Sequence, residues 1–318
     1  MVLLRIATRG SPLARAQAAL VADALVLANP GIADETVVVE TLGDRVQDLP
    51  IEDLGDRGVF TRSVQVALLE DRADVAVHSF KDLPTEPMRG CQLAAVMCRA
   101  DPRDALVSKD GCRLTQLQKG ARVGTSSARR TAQIRRARCD LSAVGLRGSV
   151  GTRVQRVHEG DLDAAILAVA GLKRAGLSSV ISEVLDPEVF LPAPAQGALA
   201  VEVRDDRPDI ARAVTRIDHA ESRIATSAER AFLRGLRGGC NAAAGALAVV
   251  SGDHITLTGG KFDEGSLGAE VLKGHTNEAV ALGYRAAELV VAGGSVQASG
   301  PRGRARFIWV VLDQEIRA

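Results

Sequence analysis

The sequence predicts an α/β protein in which an open, mostly parallel sheet occurs twice, followed by a small α+β domain. Two observations predict this class. Strand-like and helix-like segments alternate through the first third of the chain, stop at a polar stretch at 99–103, and then alternate again. After His219 a long helix is followed by two segments of alternating apolar and polar residues, which is typical of an antiparallel sheet.

The first third of the chain contains three predicted strands and two predicted helices. The strands have the sequences VLLRIATR, TVVVETL and DVAVHSF. The helices are GSPLARAQAALVADALVLAN, in which Ser11 is the N-cap candidate and Pro12 follows it, and FTRSVQVALLEDRA. This order is that of βαβ units, so we expect parallel strands with helices on both faces of the sheet.

The middle of the chain repeats the alternation and then returns to the first domain. ARVGTSS is a predicted strand and turn, ARRTAQIRRAR a helix, LSAVGLR a strand, and DAAILAVA a short buried strand that follows a further helix. FLPAPAQGALAVEVR carries prolines that break regular structure, so we expect it to cross back toward the first domain. These patterns predict domain 1 at 1–98 and 196–217, domain 2 at 99–195 and domain 3 at 218–318.

The third domain is predicted to hold a helix, AESRIATSAERAFLRGL, two strands, ALAVVSG and HITLTGGKF, and a second helix, TNEAVALGYRAAELVVAGG. Cys240 stands at its entrance, directly behind Gly238 and Gly239. The two glycines favour the end of a helix. The thiol of Cys240 is either a buried packing group or the anchor of a covalent group, and its neighbours in the sequence leave both interpretations open.

Composition excludes several classes of protein. Hydrophobic residues make up 46% of the chain and charged residues 25%, which is typical of a globular rather than a disordered protein. No apolar run approaches the about 20 residues that cross a bilayer, and MVLLRIATRG lacks the apolar core of a signal peptide. We therefore expect a cytoplasmic protein with no membrane association. Five scattered cysteines and five histidines without ligand spacing indicate reduced thiols and no metal site.

Positive charge is concentrated in the middle of a nearly neutral chain. The net charge is +1, yet residues 111–157 hold ten arginines and one lysine against a single aspartate. A segment with this excess of cations predicts an anionic partner, which is a phosphate, a polycarboxylate or a nucleic acid. Three of the arginines, Arg135, Arg136 and Arg138, are expected to lie on a solvated helix face.

Three strand-to-helix corners carry side chains suited to binding such an anion. They are residues 8–11, 124–130 and 146–153, which combine hydroxyls, backbone N–H groups and arginines. In α/β sheets, ligands bind beyond the carboxyl ends of strands, where helix N-termini direct N–H groups outward. Because arginine holds a carboxylate with two parallel hydrogen bonds, these corners predict a binding site for carboxylates.

A fourth feature is the strand end HSFKDLP, which carries Lys81 and Asp82 side by side. Taken alone, an aspartate at this position is expected to cap a turn. In a cleft rich in arginine, the same carboxylate can stabilise a cation that forms on a substrate. His78, in the apolar part of this strand, is expected to be a core residue.

Eight segments of the chain occur in the order found in the porphobilinogen deaminase family, also called the hydroxymethylbilane synthase family. They are RIATRGSPLA, ALLEDRADVAVHSFKDLP, DPRDALVS, VGTSSARR, LRGSVGTR, DAAILAVAGLKR, LPAPAQGALA and GGCNAAAG. The resemblance covers the chain from Arg5 to near Glu288. It implies two domains that resemble type II periplasmic binding proteins, with mixed and mostly parallel sheets, and a small α+β domain that bears the cysteine of the GGC motif.

The resemblance implies a transferase of tetrapyrrole (haem) biosynthesis. Members of the family join four porphobilinogen molecules head to tail, release ammonia at each addition, and form the linear tetrapyrrole 1-hydroxymethylbilane. They do so on a dipyrromethane cofactor that is attached by a thioether to the GGC cysteine, here Cys240. The resemblance further implies a monomer that hands its product to uroporphyrinogen-III synthase.

The resemblance also implies which residues form the site. Asp82 matches the catalytic aspartate, which holds pyrrole N–H groups and stabilises the azafulvenium cation left when ammonia departs. Beside Cys240, the positions that match cofactor-binding residues are Lys81, Thr125, Ser127, Arg129, Arg130, Gly171 and Gln196. The positions that match substrate-binding residues are Arg9, Ser11, Gln17, Arg147, Arg153 and Arg174.

The chain departs from the family pattern at four positions. In the lid segment Leu42 replaces an arginine and Arg57 replaces a lysine, so no cationic contact is expected at residue 42. Ala243 replaces a proline after the anchor, which predicts a less rigid loop. Ser149 replaces an asparagine at a strand-to-helix corner.

Two other functions fit parts of the pattern. A non-catalytic solute-binding protein for small polyanions would have the same two-domain cleft, but it gives no role to Cys240 or Asp82. A nucleic-acid-binding protein would use the basic segment at 111–157, but one Trp, one Tyr and six Phe offer few rings for base stacking. We therefore expect a small-molecule substrate, porphobilinogen, and no nucleic-acid partner.

Overall fold

A computed structural model describes residues 2–40, 61–236, 243–262 and 268–293. The strands in these segments form two five-stranded sheets and one three-stranded sheet. In chain order they are β1 Val2–Arg9, β2 Ile32–Val39, β3 Val75–Ser79, β4 Cys91–Val96, β5 Asp104–Ser108, β6 Arg122–Gly124, β7 Ser142–Val144, β8 Ala164–Ala168, β9 Glu183–Val184, β10 Leu199–Arg204, β11 Ala244–Ser251, β12 His254–Lys261 and β13 Gly268–His275. The α-helices of the same segments are α1 Pro12–Ala28, α2 Arg62–Leu69, α3 Ala128–Ala137, α4 Val150–His158, α5 Val169–Arg174, α6 Pro208–Thr215, α7 Ala220–Gly235 and α8 Ala279–Gly293.

The first sheet has the strand order β2-β1-β3-β10-β4. β1 pairs in parallel with β2 and β3, whereas β10 pairs antiparallel with β3 and β4. Four strands therefore point one way and β10 points the other way. The core on one face contains Ile6 of β1, Leu25 of α1 and Val201 of β10, all fully buried.

The second sheet has the order β7-β6-β8-β5-β9 and repeats this arrangement. β6 pairs in parallel with β7 and β8, and β5 pairs antiparallel with β8 and β9. Successive residues of β8 face opposite sides, so Ile166 packs in one core with Val123, while Leu167 packs in another with Val154 of α4. This sheet is therefore covered on both faces.

The third sheet is antiparallel, with the order β11-β12-β13, and α7 and α8 pack against it. Phe232 of α7 and Leu257 of β12 are fully buried between these layers. Gly259 allows the close approach of the helix, because a Cβ at this position would lie 2.7 Å from the Phe232 ring. A side chain here would therefore separate α7 from the sheet.

The predicted fold class is confirmed by these three sheets. Two α/β units with mixed, mostly parallel sheets are followed by a small α+β unit, and FLPAPAQGALAVEVR crosses back to supply β10 of the first sheet. The predicted start of the second strand at Thr36 is wrong, since β2 begins at Ile32, where parallel pairing with Val2 sets its register. In the described part of the chain, the helices are too short or too polar to span a bilayer.

Two chain segments connect the five-stranded sheets and run side by side. They are residues 97–103, between β4 and β5, and residues 185–198, which lead to β10. Ala100 N donates to Gly197 O at 3.3 Å, and Arg99 Nε donates to Gln196 O at 2.9 Å. Gly197 has a φ of +92°, and a Cβ on it would lie 2.3 Å from Ala100 O. The two crossings are therefore closely packed at this point.

Candidate functional site

The predicted site residues follow the carboxyl ends of strands in both five-stranded sheets. β1 and β3 of the first sheet are parallel neighbours, and so are β6, β7 and β8 of the second. The loops after parallel strands meet at one edge of a sheet, which is the usual ligand edge of α/β folds. Arg9 ends β1, Asp82 ends the 3-10 turn after β3, and Arg130 and Arg153 lie in the first turns of α3 and α4.

Three serines cap the helices at this edge. The hydroxyl oxygen of Ser11 accepts from Ala14 N at 3.2 Å, which starts α1. Ser127 accepts from the backbone N of Arg130 at 3.4 Å, and Ser149 accepts from Thr152 N at 3.1 Å. Each serine fits the N-cap preference for short hydroxyl side chains. A hydroxyl that accepts in a cap still carries a proton that it can donate to an anion.

A small cleft opens between α1 and the end of β3. Its lining includes four predicted residues, namely Arg9, Ser11, Gln17 and Asp82. Gln17 Oε1 accepts from the hydroxyl of Ser79 at 2.9 Å, which ties α1 to the end of β3. Asp82 ends the 3-10 turn that follows this strand, and its side chain is exposed. His78 is buried, as expected from its position in the strand.

Asp104, the first residue of β5, is a buried acid that the sequence analysis did not single out. Its carboxylate oxygens lie 2.8 Å from an Arg129 nitrogen and 2.7 Å from an Arg130 nitrogen, and accept from Gln196 Nε2 at 2.8 Å. Burial opposes its ionisation, yet the two guanidiniums hold the pKa of Asp104 well below its usual range. The only sequence signal was its place in the DPRDALVS segment.

The two arginines that Asp104 holds are themselves buried and also bind backbone carbonyls. Arg129 donates to Leu191 O at 2.6 Å, and Arg130 donates to Ile166 O at 2.9 Å. Burial lowers the pKa of Arg129, while the Asp104 carboxylate opposes this shift. One carboxylate therefore balances two guanidiniums, and a positive charge is left over.

Gln196 links this cluster to Lys81. Its side-chain nitrogen donates to Asp104 and to Pro102 O, both at 2.8 Å, so its oxygen is turned toward Lys81 Nζ at 3.2 Å. Burial lowers the pKa of Lys81 to about 8, and the Asp82 carboxylate opposes that shift. Lys81 thus lies within electrostatic reach of both Asp82 and the cations of the second sheet.

Arg153 brings the first turn of α4 into the same site. Its Nε donates to Gly148 O at 2.9 Å. Burial lowers the pKa of Arg153, the positive charges of Arg130 and Arg147 lower it further, and Asp82 raises it. Arg153 lies on the helix after β7 and Asp82 on the turn after β3, so the two charged groups are within electrostatic reach of each other.

The charge balance of this site fits a ligand with several carboxylates. Its cations outnumber its acids, and they depress one another's pKa values. Arg130 Nε is buried without a hydrogen-bond partner in the described part of the chain, so one donor remains for a bound acceptor. Among the described residues, no cluster of three His, Cys, Asp or Glu side chains is arranged to hold a metal ion.

The remaining predicted residues have other positions. Thr125 is buried, and its hydroxyl oxygen accepts from Ser127 N at 3.2 Å. A Cβ on Gly171 would lie 3.9 Å from the side chains of Leu13 and Val150, so α5 closely approaches α1 and α4. Arg174 lies beside the second crossing, and its guanidinium donates to Gly197 O at 2.7 Å.

Five residues named from the sequence lie outside the described residues. They are Leu42, Arg57, Gly238, Gly239 and the anchor candidate Cys240. Ala243, where the family pattern has a proline, is buried beside the first residue of β11.

Two family models match this chain. The dipyrromethane cofactor binding domain of porphobilinogen deaminase matches residues 4–212, and the C-terminal domain of porphobilinogen deaminase matches residues 224–292. Curated relatives called porphobilinogen deaminase, from Roseiflexus sp. (strain RS-1) and Pelotomaculum thermopropionicum, are 44% and 45% identical to it. The first alignment covers 93% of this chain and 99% of the relative, and the second covers 90% and 92%.

Two of the similar solved structures have low sequence identity to this chain. The BvgS VFT2 domain of Bordetella pertussis is 14% identical, with a TM-score of 0.41 over 68% of this chain and 86% of that one. The ligand-binding component of an ABC-type import system from Staphylococcus aureus is 12% identical, with a TM-score of 0.39 over 74% and 75%.

Proposed function

The chain belongs to the porphobilinogen deaminase family, and on that premise we propose that Asp82 carries out its chemistry in a cleft whose cations hold the dipyrromethane cofactor. The activity of the family is that of a transferase, which condenses four porphobilinogen molecules into 1-hydroxymethylbilane for tetrapyrrole synthesis. The observation that carries this function is the match of both family models, joined to 44% identity over 93% of the chain.

The residues of the site fit a dipyrromethane. Each of its pyrrole rings carries an acetate and a propionate, and Lys81, Arg130, Arg147 and Arg153 offer more positive charge than the site's own acids neutralise. The unpartnered Nε of the buried Arg130 supports the same interpretation. When bound, the cofactor supplies the pyrrole carbon to which the first substrate is joined.

We propose a division of tasks among the cations and polar groups. The guanidiniums and Lys81 bind carboxylates of the cofactor and of the growing chain, because charge-assisted hydrogen bonds are about twice as strong as neutral ones. Gln196 holds the ammonium of Lys81 in place. The further cofactor contacts proposed are Thr125, Ser127, Arg129 and Gly171, with Cys240 as the thioether anchor. The further substrate contacts proposed are Arg9, Ser11, Gln17 and Arg174.

Asp82 is the group we propose to act on the reacting atoms. Its exposed carboxylate lines the cleft and accepts hydrogen bonds from pyrrole N–H groups of the substrate. As ammonia leaves, positive charge develops on the substrate, and a fixed carboxylate beside it lowers the energy of that state. The neighbouring cations hold the substrate carboxylates, so the ring stays next to Asp82 while the bond breaks.

The finer assignments are proposals of the same kind. We propose a cytoplasmic monomer that passes its product to uroporphyrinogen-III synthase. We also propose domain limits at 1–98 with 196–217, 99–195 and 218–318. The grouping of β1–β4 with β10, of β5–β9, and of β11–β13 into separate sheets supports these limits.

Replacing Asp82 by Asn tests the catalytic assignment. We expect porphobilinogen consumption to fall at least about 100-fold, which is the usual effect of removing one electrostatic stabiliser. Thermal unfolding and the intact-protein mass should show a folded chain that still carries its dipyrrole adduct. Retention of most of the wild-type rate would remove Asp82 from this role.

The anchor is tested by the mass of the purified protein. The wild-type chain should carry the mass of a dipyrrole adduct, and Cys240→Ser should lack it. Cys139→Ser, which changes an exposed free cysteine, is the control and should keep the adduct. An active wild-type preparation of unmodified mass contradicts the assignment of Cys240.

A further inference from the structure

One arginine of α7 holds the backbone on both sides of Asp82. The terminal nitrogens of Arg230 donate to the carbonyl oxygens of Phe80 at 3.2 Å, Leu83 at 2.8 Å and Pro84 at 2.5 Å. Its guanidinium carbon also lies 4.4 Å from the centre of the Phe80 ring, which adds a cation–π contact. The turn that presents the carboxylate is therefore fastened before and after Asp82 by a single side chain.

Arg234, one helical turn later on α7, extends this contact. It donates to the carbonyl oxygen of Thr85, and its Nε lies 3.3 Å from a carboxylate oxygen of Glu86. The helix ends at Gly235, shortly before Cys240 in the sequence. The same end of α7 thus contacts the turn of the candidate catalytic residue and leads into the segment of the candidate anchor.

The chemistry of arginine suits this task. Its planar fork carries five donors in a fixed geometry, so one side chain can bind several carbonyl oxygens of a turn at once. Without those donors, the carbonyls of Leu83 and Pro84 would turn toward water and the turn would gain freedom. The carboxylate of Asp82 would move with its backbone.

We infer that Arg230 is a positioning residue of the reaction, which fixes the backbone around Asp82 to the helix that leads to the cofactor anchor. This inference rests on the proposed role of Asp82 and adds to it a mechanical link between the first sheet and the third. Arg230 binds backbone carbonyls, so its loss should lower kcat and leave KM for porphobilinogen close to the wild-type value.

Arg230→Met is the primary test, because it keeps a long side chain against Phe80 and removes the donors. We expect kcat to fall about 10- to 100-fold, since a displacement of about 1 Å can cost about 100-fold in rate. Arg230→Lys keeps a cation over the Phe80 ring and one donor group, so its kcat should lie between that of the wild-type protein and that of Arg230→Met. Rates are compared only for preparations whose intact-protein mass shows the dipyrrole adduct. The assay temperature is kept below the melting temperature of every variant.

Arg223→Met is the matched control on the same helix. Arg223 also binds a backbone carbonyl of the first sheet, Ala94 O at 2.9 Å, and pairs with Asp218 at 2.8 Å, but it does not contact the turn. We expect this variant to lower the melting temperature and to keep the wild-type kcat. Equal losses of kcat in the Arg223 and Arg230 variants, or a wild-type kcat in Arg230→Met, would overturn the inference.

A double-mutant cycle separates this inference from the proposed role of Asp82. If Arg230 acts through Asp82, Arg230→Met should reduce the residual rate of Asp82→Asn by a smaller factor than it reduces the wild-type rate. The same factor in both backgrounds rejects positioning through Asp82. A wild-type rate in Asp82→Asn alone rejects the catalytic assignment instead.

Discussion

Asp104 controls the electrostatics of the site at the scale of the single residue. Its carboxylate is fully buried between the guanidiniums of Arg129 and Arg130. In Asp104→Asn two buried cations would face each other with no counter-ion. We predict that the free energy of unfolding falls by about 3–5 kcal/mol, the usual result of breaking a buried ion pair on one side. Urea denaturation at neutral pH measures it.

The control for this prediction is Asp161→Asn. Asp161 pairs with Arg156 at 3.4 Å on the surface, where ion pairs contribute little. This substitution should leave the urea midpoint almost unchanged. Similar shifts of the midpoint in the two variants would mean that burial of Asp104 does not increase its contribution to stability.

Lys81 makes the site sensitive to pH. Because burial lowers the pKa of Lys81 to about 8, its ammonium becomes neutral as the pH rises through that value. A neutral amine no longer attracts a carboxylate. We predict that the apoenzyme acquires its dipyrromethane more slowly as the pH rises from about 7 to about 9, across the titration of this free-enzyme group. A time course of intact-protein mass at each pH measures the rate.

Lys81→Arg is the matched variant, since a guanidinium stays charged over this range. The rate at which Lys81→Arg acquires its cofactor should therefore stay constant between about pH 7 and about pH 9. A fall of the same size in the variant would assign the pH dependence to another group.

The sequence predicted the cations of the site better than their partners. Arg147 and Arg153 follow from the rule that ligands bind at strand-to-helix corners, and Lys81 follows in the same way from a strand end. Asp104 could not be found by that rule, because an aspartate at the start of an apolar strand has no local sign of its partners. Its partners, Arg129 and Arg130, come from a helix that only the tertiary fold brings to β5.

At the scale of the element, the close approach of the two crossings depends on Gly197. Its backbone is left-handed, and an added Cβ would lie 2.3 Å from Ala100 O. We predict that Gly197→Ala lowers the free energy of unfolding by about 2–5 kcal/mol, since left-handed strain costs about 1–2 kcal/mol and overpacking about 1–3 kcal/mol. Chemical denaturation measures the change.

Gly176→Ala serves as the control for this prediction. Gly176 has a φ of +71° but open space around its Cβ direction, so it reports the cost of the backbone conformation alone. This variant should lose only about 1–2 kcal/mol. Equal losses at the two positions would show that the contact with Ala100 is unimportant.

Helices and strands with a clear hydrophobic period in the sequence were predicted. Strands whose position depends on pairing with another strand were not. The apolar runs of β1, β3 and β8 and the amphipathic pattern of α1 are visible in the sequence. β4 and β13 escaped notice because their strand character comes from pairing with β10 and β12. The start of β2 was misplaced for the same reason.

At the scale of the whole molecule, Glu229 joins the three sheets. Its buried carboxylate binds both terminal nitrogens of Arg99, at 2.6 and 3.0 Å, on the first crossing. It also accepts from Ala195 N at 2.6 Å on the second crossing and from Ala248 N at 2.8 Å in β11. We predict that Glu229→Gln lowers stability by about 3–5 kcal/mol, because it leaves Arg99 unpaired.

The loss of Glu229 should also reduce cooperativity between the sheets. Hydrogen exchange in β11 and β12 should accelerate more than exchange in β1, since the third sheet loses its tie to both crossings. Arg103→Gln, which breaks an exposed pair with Asp101 on the same crossing, should preserve the wild-type exchange pattern. Uniform acceleration across all three sheets in Glu229→Gln contradicts this account.

The inner position of β10 sets the order in which the two five-stranded sheets can be completed while the chain is synthesised. β10 lies between β3 and β4, so β4 has no neighbour to pair with until residues 199–204 have been made. All five strands of the second sheet lie between 104 and 184, so that sheet is complete first. Domains generally fold from the N-terminus during synthesis. Here the N-terminal sheet is completed last of the two, because β4 stays unpaired until β10, which follows the second sheet in the sequence, has been synthesised.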